Sequence, residues 1–291
     1  MKVLSKPTAY DVITHKIVEA VERRAGRFQM PWHASHWMAL PINVATEAYY
    51  RGVNVLSLWL DAQAKKFPTS HWASYRQWLS LGAQVRRGER GSVVVFYKAI
   101  EADGDREEPA RFVLRTFRVF NAAQVEGWTA PEAAPLPRFE IDEQVDAFVA
   151  AVGARVRHGF ATARYRSDLD DIEMPSPAWF RDTETSSASQ SYHAILLHEL
   201  VHWSGASHRI GREFGKRFGD ETYAFEELIA ELGAAFLCGA FGIANEPRPD
   251  HAAYVQSWLK VLNRDRKAIF AAAAKAQEAV EYLSQLAREN H

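Results

Sequence analysis

The chain of 291 residues contains one cysteine, Cys238. A lone thiol excludes an internal disulfide and any multi-cysteine zinc or iron–sulfur centre. Methionine is almost as scarce, at Met1, Met30, Met38 and Met174. No stretch approaches the roughly 18 consecutive apolar residues that a membrane helix needs. The first residues, MKVLSKPTAYDVITHK, hold no apolar segment of the secretory type, so the expected compartment is the cytoplasm. Net charge is nearly absent too: 35 Lys and Arg against 36 Asp and Glu leave −1. Taken whole, that figure argues against a polyanionic partner. What is present is a globular composition, 47% hydrophobic and 24% charged, which excludes disorder and fibrous repeats.

The charge balance changes when the chain is divided. Thr129–Arg138 holds Pro131, Pro135 and Pro137, which suit neither a helix interior nor a central strand, and reads as a linker. Residues 1–128 carry 18 Lys and Arg against 12 Asp and Glu, a net +6; residues 129–291 carry 17 against 24, a net −7. The expected organisation is therefore a domain over 1–128, a linker over 129–138 and a domain over 139–291. The expected fold class is α+β. In the first half, Ile13, Ile17, Val18 and Val21 recur at helical spacing after Asp11, and Val55–Lys66 is a second helix. Residues 91–98 and 112–120 are rich in β-branched and aromatic residues and read as a strand hairpin. The second half is mainly helical: near 141–156, 187–204, 221–241, 250–263 and 265–287, with Asp265 capping the last and extended pieces at 163–165 and 171–174.

The sharpest chemical signal is His198-Glu199-Leu200-Val201-His202, inside an apolar run from Tyr192 to Trp203. On a helix, residues i and i+4 share a face, so both imidazoles reach one ion. Glu199, one position along, is directed toward a water rather than the ion and reads as general base. A third ligand is required, and two choices exist. His208 completes H-E-x-x-H-x-x-G-x-x-H, but that pattern needs a later methionine turn, and no methionine follows Met174. Glu227 lies in a run where Glu227 and Glu231 share a helix face, so one can ligate while the other holds a ligating histidine by its second nitrogen. Glu226 points about 100° away and is the weaker choice. Glu227 is favoured. Tyr223, one turn before it, is the best donor for a developing oxyanion, ahead of Tyr192, His208, Tyr254 and His251. Two histidines and a carboxylate suit zinc first and manganese next.

The first half interleaves aromatics with cations, above all from Trp72 to Lys98. Aromatic faces stack bases and cations follow phosphates, which is what single-stranded nucleic acid requires. Tryptophans also build cores, and Trp59, in an apolar run, reads as core. His33 and His36 form an unremarkable pair.

Two sets of residues carry a family resemblance. The first comprises Trp32, Pro41-Ile-Asn43, Tyr50-Arg51-Gly52-Val-Asn54, Trp72, Gln77-Trp78 and Leu81–Gly91. The second comprises Asp171–Pro175, the His198–His202 motif, Arg209-Ile-Gly-Arg212 and Tyr223–Phe236. Together they resemble the ArdC-type antirestriction proteins of conjugative plasmids, whose N-terminal region is also similar to that of certain plasmid primases. The resemblance implies an N-terminal domain that binds single-stranded DNA and a C-terminal zincin-like metallopeptidase domain with Glu227 as the glutamate ligand. It implies protection of entering plasmid DNA from restriction. The residues expected to meet DNA are Trp32, Asn43, Arg51, Trp72, Tyr75, Arg76, Trp78, Arg86, Arg87, Arg90 and Lys98. Two rival readings are a DNA-targeted protease acting on a protein substrate and a non-catalytic DNA-binding protein with a structural metal. Protection that survived Glu199→Ala would remove the need for hydrolysis.

Overall fold

A computed structural model describes residues 8–25, 39–100, 111–129, 138–183, 186–214, 221–244 and 251–290. Helix α1 (Ala9–Ala25) opens where Thr8 donates to the Asp11 carboxylate, and it buries Ile13, Ile17, Val18 and Val21 as their spacing predicts. Strands β1 (Ile42–Asn43) and β2 (Ala48–Tyr49) lead to α2 (Val53–Lys65), which Lys66 ends in the left-handed conformation. Next come β3 (His71–Ser74), α3 (Tyr75–Ser80), β4 (Gln84–Val85), β5 (Ser92–Ile100), β6 (Arg111–Asn121) and β7 (Val125–Glu126). Helix α3 begins on a reciprocal cap in which Ser74 and Gln77 satisfy each other's backbone amides.

Strands β2-β1-β3-β6-β5 form one sheet, parallel only between β1 and β3, and β5 pairs with β6 over its whole length in the expected antiparallel sense. The free edge of β5 is closed by a side chain. The Asn54 amide donates to the Val95 carbonyl and accepts from the Val95 amide, both at 2.8 Å, in place of a further strand.

The second half runs α4 (Arg138–Val152), β8 (Arg155–His158), β9 (Arg164–Arg166), β10 (Asp171–Met174), α5 (Ala188–Ser204), α6 (Glu221–Phe241), α7 (His251–Arg264) and α8 (Ala268–Glu289). The expected helix over 141–156 is shorter at its end. Gly153, at φ 79°, closes α4 at Val152, and Val156 belongs instead to β8 in a sheet of order β8-β10-β9. Asp265 does not cap α8; Lys267 holds that position, and the Asp265 carboxylate accepts the Lys267 amide. Residues 130–137, most of the proline-rich segment, lie outside the described residues.

Residues from α1, α2 and β5 share one continuous core with α5, α6 and α8. Helix α8 turns Ala272, Ala273, Ala276 and Ala279 inward, so neighbouring backbones approach it closely. The Gly52 amide donates to Gln277 on α8, Trp59 meets Phe236, and the Thr14 hydroxyl donates to the Arg266 carbonyl. Among the described residues, no helix is long and apolar enough to cross a membrane.

Helices α5 and α6 pack through Gly233. A Cβ there would stand 2.8 Å from a methyl of buried Val201. Gly233→Val is expected to destabilise the protein by about 1–3 kcal/mol through overpacking, and Val201→Ala in the same chain should recover part of it. Urea unfolding of the wild type and the two variants measures this.

Candidate metal centre

Helix α5 starts on a reciprocal Ser187–Gln190 cap, and its last three turns are almost wholly buried. Within them His198 and His202 stand one turn apart, and α6 crosses over their ring edges. The ring nitrogens Nε2 of His198 and His202 are 3.1 Å apart, and the Glu227 carboxylate oxygens lie 3.7 Å and 3.5 Å from them. Among the described residues, His198, His202 and Glu227 are the group whose ligand atoms converge on one point. Metal–ligand bonds of about 2.0–2.1 Å in tetrahedral array place ligand atoms about 3.3 Å apart. The observed spacings of 3.1–3.7 Å lie close to that separation.

A carboxylate of α6 stands behind each histidine. Glu226 faces Nδ1 of His202 at 3.1 Å, and Glu231 stands 3.5 Å from Nδ1 of His198. Glu231 thus stands near the second nitrogen of His198, without a hydrogen bond to it. Glu226 was the weaker ligand choice, and it is no ligand, but its role was missed. A helical wheel judges whether a side chain shares the ligand's direction. An imidazole offers two nitrogens on different edges, so the residue next to the ligand serves the second edge.

Glu226 is gripped in turn by Arg212, whose Nε and terminal nitrogen donate to it at 2.9–3.2 Å. Arg212 also donates to the Ser204 hydroxyl and the Val201 carbonyl at the end of α5. Its guanidinium crosses Gly205 so closely that a Cβ there would lie 2.6 Å away, which accounts for a glycine ending this helix. The Arg209–Arg212 run quoted for the family was the available signal for this residue.

Burial works against charge on His202, but hydrogen bonds to Glu226 and then Glu227 outweigh it and hold its pKa up at about 10. Glu227 is buried as well, yet hydrogen bonds from His198 and His202 hold it far below the ordinary carboxylate range. In the metal-free protein His202 is therefore an imidazolium at neutral pH. A histidine ligand must be neutral, so ion uptake should expel that proton. Calorimetric titration of Mn(II) at pH 8 in buffers of different ionisation enthalpy should report about one proton released per ion. The pKa is raised, so the cation's stabilisation of the metal-free fold is complete below pH 6.5 and fades as pH rises through about 10.

Glu199 is buried, and its carboxylate accepts the Tyr165 amide of β9 at 2.8 Å. The Tyr165 hydroxyl donates to Asp170, and Arg209 clasps Asp170 with two nitrogens. This chain of contacts was not legible in sequence. His208 is 59% exposed on its side chain and lies 3.4 Å from Asp170, outside the ligand group. Tyr223 is half-buried and packs against the core one turn before Glu227. The side chains of His251 and Tyr254 lie outside the described residues.

In the first half, several residues expected to meet DNA have other work. Trp72 and Trp78 are 1% and 0% exposed and offer no face to a base; the Trp78 indole donates to the Phe120 carbonyl. They sit on alternate-facing or capped elements whose inner side is core, a distinction composition does not make. The Asn43 amide donates to Tyr50 and Gln77 while its oxygen accepts the Ala45 amide, so it builds the β1–β2 turn. Arg51 pairs with Glu281 of α8, and Arg86 with Glu89 and the Ala123 carbonyl. Tyr75, Arg76, Arg87 and Arg90 are exposed. Trp32, His33, His36 and the side chain of Lys98 lie outside the described residues.

The buried two-histidine helix, the crossing helix with its glutamate and the small sheet beside them define a zincin-like metallopeptidase domain: residues 143–275 match the family of that description. Residues 7–125 match the N-terminal domain of anti-restriction factor ArdC. The crystal structure of the antirestriction ArdC protein from plasmid R388 superposes in its metal-free form with a TM-score of 0.79 at 37% identity, covering 97% of this chain and 98% of that one. Its Mn(II)-bound form gives 0.78 at 37% identity, covering 96% and 98%. The uncharacterized protein y4eC of Sinorhizobium fredii is 44% identical over 284 residues, 94% of this chain and 91% of that protein. A DNA primase TraC of Escherichia coli is 32% identical, and this chain spans 27% of its length. The chain belongs to the ArdC family of antirestriction proteins.

Proposed function

We propose that this protein binds single-stranded DNA through its basic half, protects incoming plasmid DNA from restriction, and carries a divalent ion on His198, His202 and Glu227. The carrying observation is the convergence of those three ligands, with Glu199 next to His198 in sequence, in the half whose charge is opposite to that of the other. Zinc fits the donor set, and the manganese of the R388 protein makes that ion an equal candidate. When bound, the ion would polarise a peptide carbonyl and acidify a water.

The chain's own residues supply the rest. Glu226 fixes the His202 imidazole by a hydrogen bond, and Glu231 stands 3.5 Å behind that of His198, where it would accept the Nδ1 proton. Glu199 accepts a proton at its carboxylate, which the Tyr165 amide orients. Tyr223 is the nearest aromatic hydroxyl in sequence to Glu227 and is the proposed donor to a developing oxyanion. Burial of the histidines and glutamates excludes bulk water from these contacts.

Tyr75, Arg76, Arg87 and Arg90 are available to the DNA by exposure. Binding of an unstructured oligonucleotide should weaken with salt, with a slope near −0.7 for each phosphate neutralised, or about −2 to −3 for three or four contacts. Anisotropy titrations between low and physiological salt measure it. A flat slope, or no binding, would remove the DNA half of the proposal.

A further inference from the structure

With Trp72 and Trp78 enclosed, a stacking surface in the basic half has to lie elsewhere, and the β5–β6 hairpin carries one. In its register Phe96 stands opposite Arg115 and Val94 opposite Phe117. Directly paired residues share a face and alternate residues keep it, so Phe96, Arg115, Phe117 and Val113 lie on one side of the sheet. Phe96 and Phe117 are each 48% exposed, with ring centroids 5.5 Å apart and planes at 73°. Val113 continues the patch at 40% exposure. Arg115 is exposed and has no ion-pair partner among the described residues.

Two phenyl rings in mutual contact and open to water are unusual on a folded surface and mark an interaction site. The arginine beside them in register selects the kind of partner. A purely apolar partner, including a second copy of this face, would have to desolvate Arg115 without compensating it. A nucleotide strand satisfies both parts, because bases present flat π faces to the rings and each linking phosphate is an anion for the arginine. The half that bears the patch has a net charge of +6, from 18 Lys and Arg against 12 Asp and Glu in residues 1–128.

We propose that single-stranded DNA crosses the β5–β6 hairpin on the side of Phe96 and Phe117, with bases against those two rings and a phosphate at Arg115. This rests on the reading of the basic half as DNA-binding and locates the contact on residues outside those expected to meet DNA.

The test uses the full chain and a labelled oligothymidine in anisotropy titrations. Phe96→Ala and Phe117→Ala should each weaken binding about 5- to 150-fold with an unchanged salt slope. Phe117→Leu, which keeps apolar bulk but loses the ring, should lose affinity as Phe117→Ala does, whereas Phe117→Tyr should retain it. Arg115→Ala should reduce the magnitude of the salt slope by about 0.7. Thermal unfolding of each variant checks that the fold is kept, which the exposure of these side chains favours. Wild-type affinity in the Phe96→Ala/Phe117→Ala double variant would overturn the proposal while leaving DNA binding by the chain intact. Affinity retained by Phe117→Leu, or a change in sedimenting mass instead of DNA affinity, would overturn it in favour of an apolar or self-association surface. Absence of binding by the wild-type chain would instead remove the underlying reading of the basic half.

Discussion

Arg212→Met is expected to lower stability by about 3–5 kcal/mol. Both members of the Arg212–Glu226 pair are buried, and Glu226 takes three of the arginine's hydrogen bonds. Removing the guanidinium leaves a buried carboxylate facing only His202, and it also strips donors from Ser204 and Val201 at the end of α5. For a chain of this size the loss corresponds to a fall in Tm of roughly 10 °C. Arg212→Lys should recover little, since an ammonium cannot reproduce the fork that reaches Glu226, Ser204 and Val201 together. Glu226→Gln combined with Arg212→Met should recover more, because no uncompensated anion remains. Thermal unfolding of the metal-free variants measures all three. A Tm within 2 °C of wild type for Arg212→Met would mean that the pair is solvated in solution and does not brace α5.

Glu227→Gln is expected to reduce affinity for Mn(II) or zinc by more than about 100-fold, beyond the 10- to 100-fold typical when an outer partner of a ligand is lost. The amide has nearly the same shape, so the fold should persist, but it cannot supply an anionic oxygen where the carboxylate now stands 3.5–3.7 Å from both imidazole nitrogens. Glu226→Gln should cost less, about 10- to 100-fold, because it loosens His202 without removing a ligand. His208→Ala should leave affinity unchanged, since His208 turns to Asp170 instead. Competition titration against a chromophoric chelator covers this range. Wild-type affinity in Glu227→Gln, or its loss in His208→Ala, would reassign the third ligand to His208.

These expectations draw on different amounts of sequence information. The helix that carries the metal motif was legible because its apolar period and the four-residue spacing of His198 and His202 come from the same 3.6-residue repeat. Glu227 was legible for the same reason, as a carboxylate on a small-residue helix able to approach closely. The contact of Glu226 with His202 was not legible because periodicity describes one helix at a time, while that contact depends on which edge of an imidazole a second helix passes. The aromatic residues show the limit most plainly. Trp72, Trp78, Phe96 and Phe117 all lie in one basic, aromatic stretch of chain or the strand beside it, and composition treats them alike. Burial divides them, enclosing the tryptophans and leaving the phenylalanines exposed.

The amino-acid sequence alone therefore determined the candidate ligands, the opposite charges of the two halves and the helices that carry them. These depend on residue type and local spacing, which a single chain displays. The tertiary structure decided which nitrogen meets which carboxylate, that Arg212 supports the centre from outside the motif, and which aromatic faces reach solvent. Those depend on how distant segments cross. Arg212 lies 14 residues from Glu226, and α8 packs against α2 although more than 200 residues separate Gly52 from its partner Gln277. The burial that results comes from the packed assembly of elements and from no single stretch of sequence.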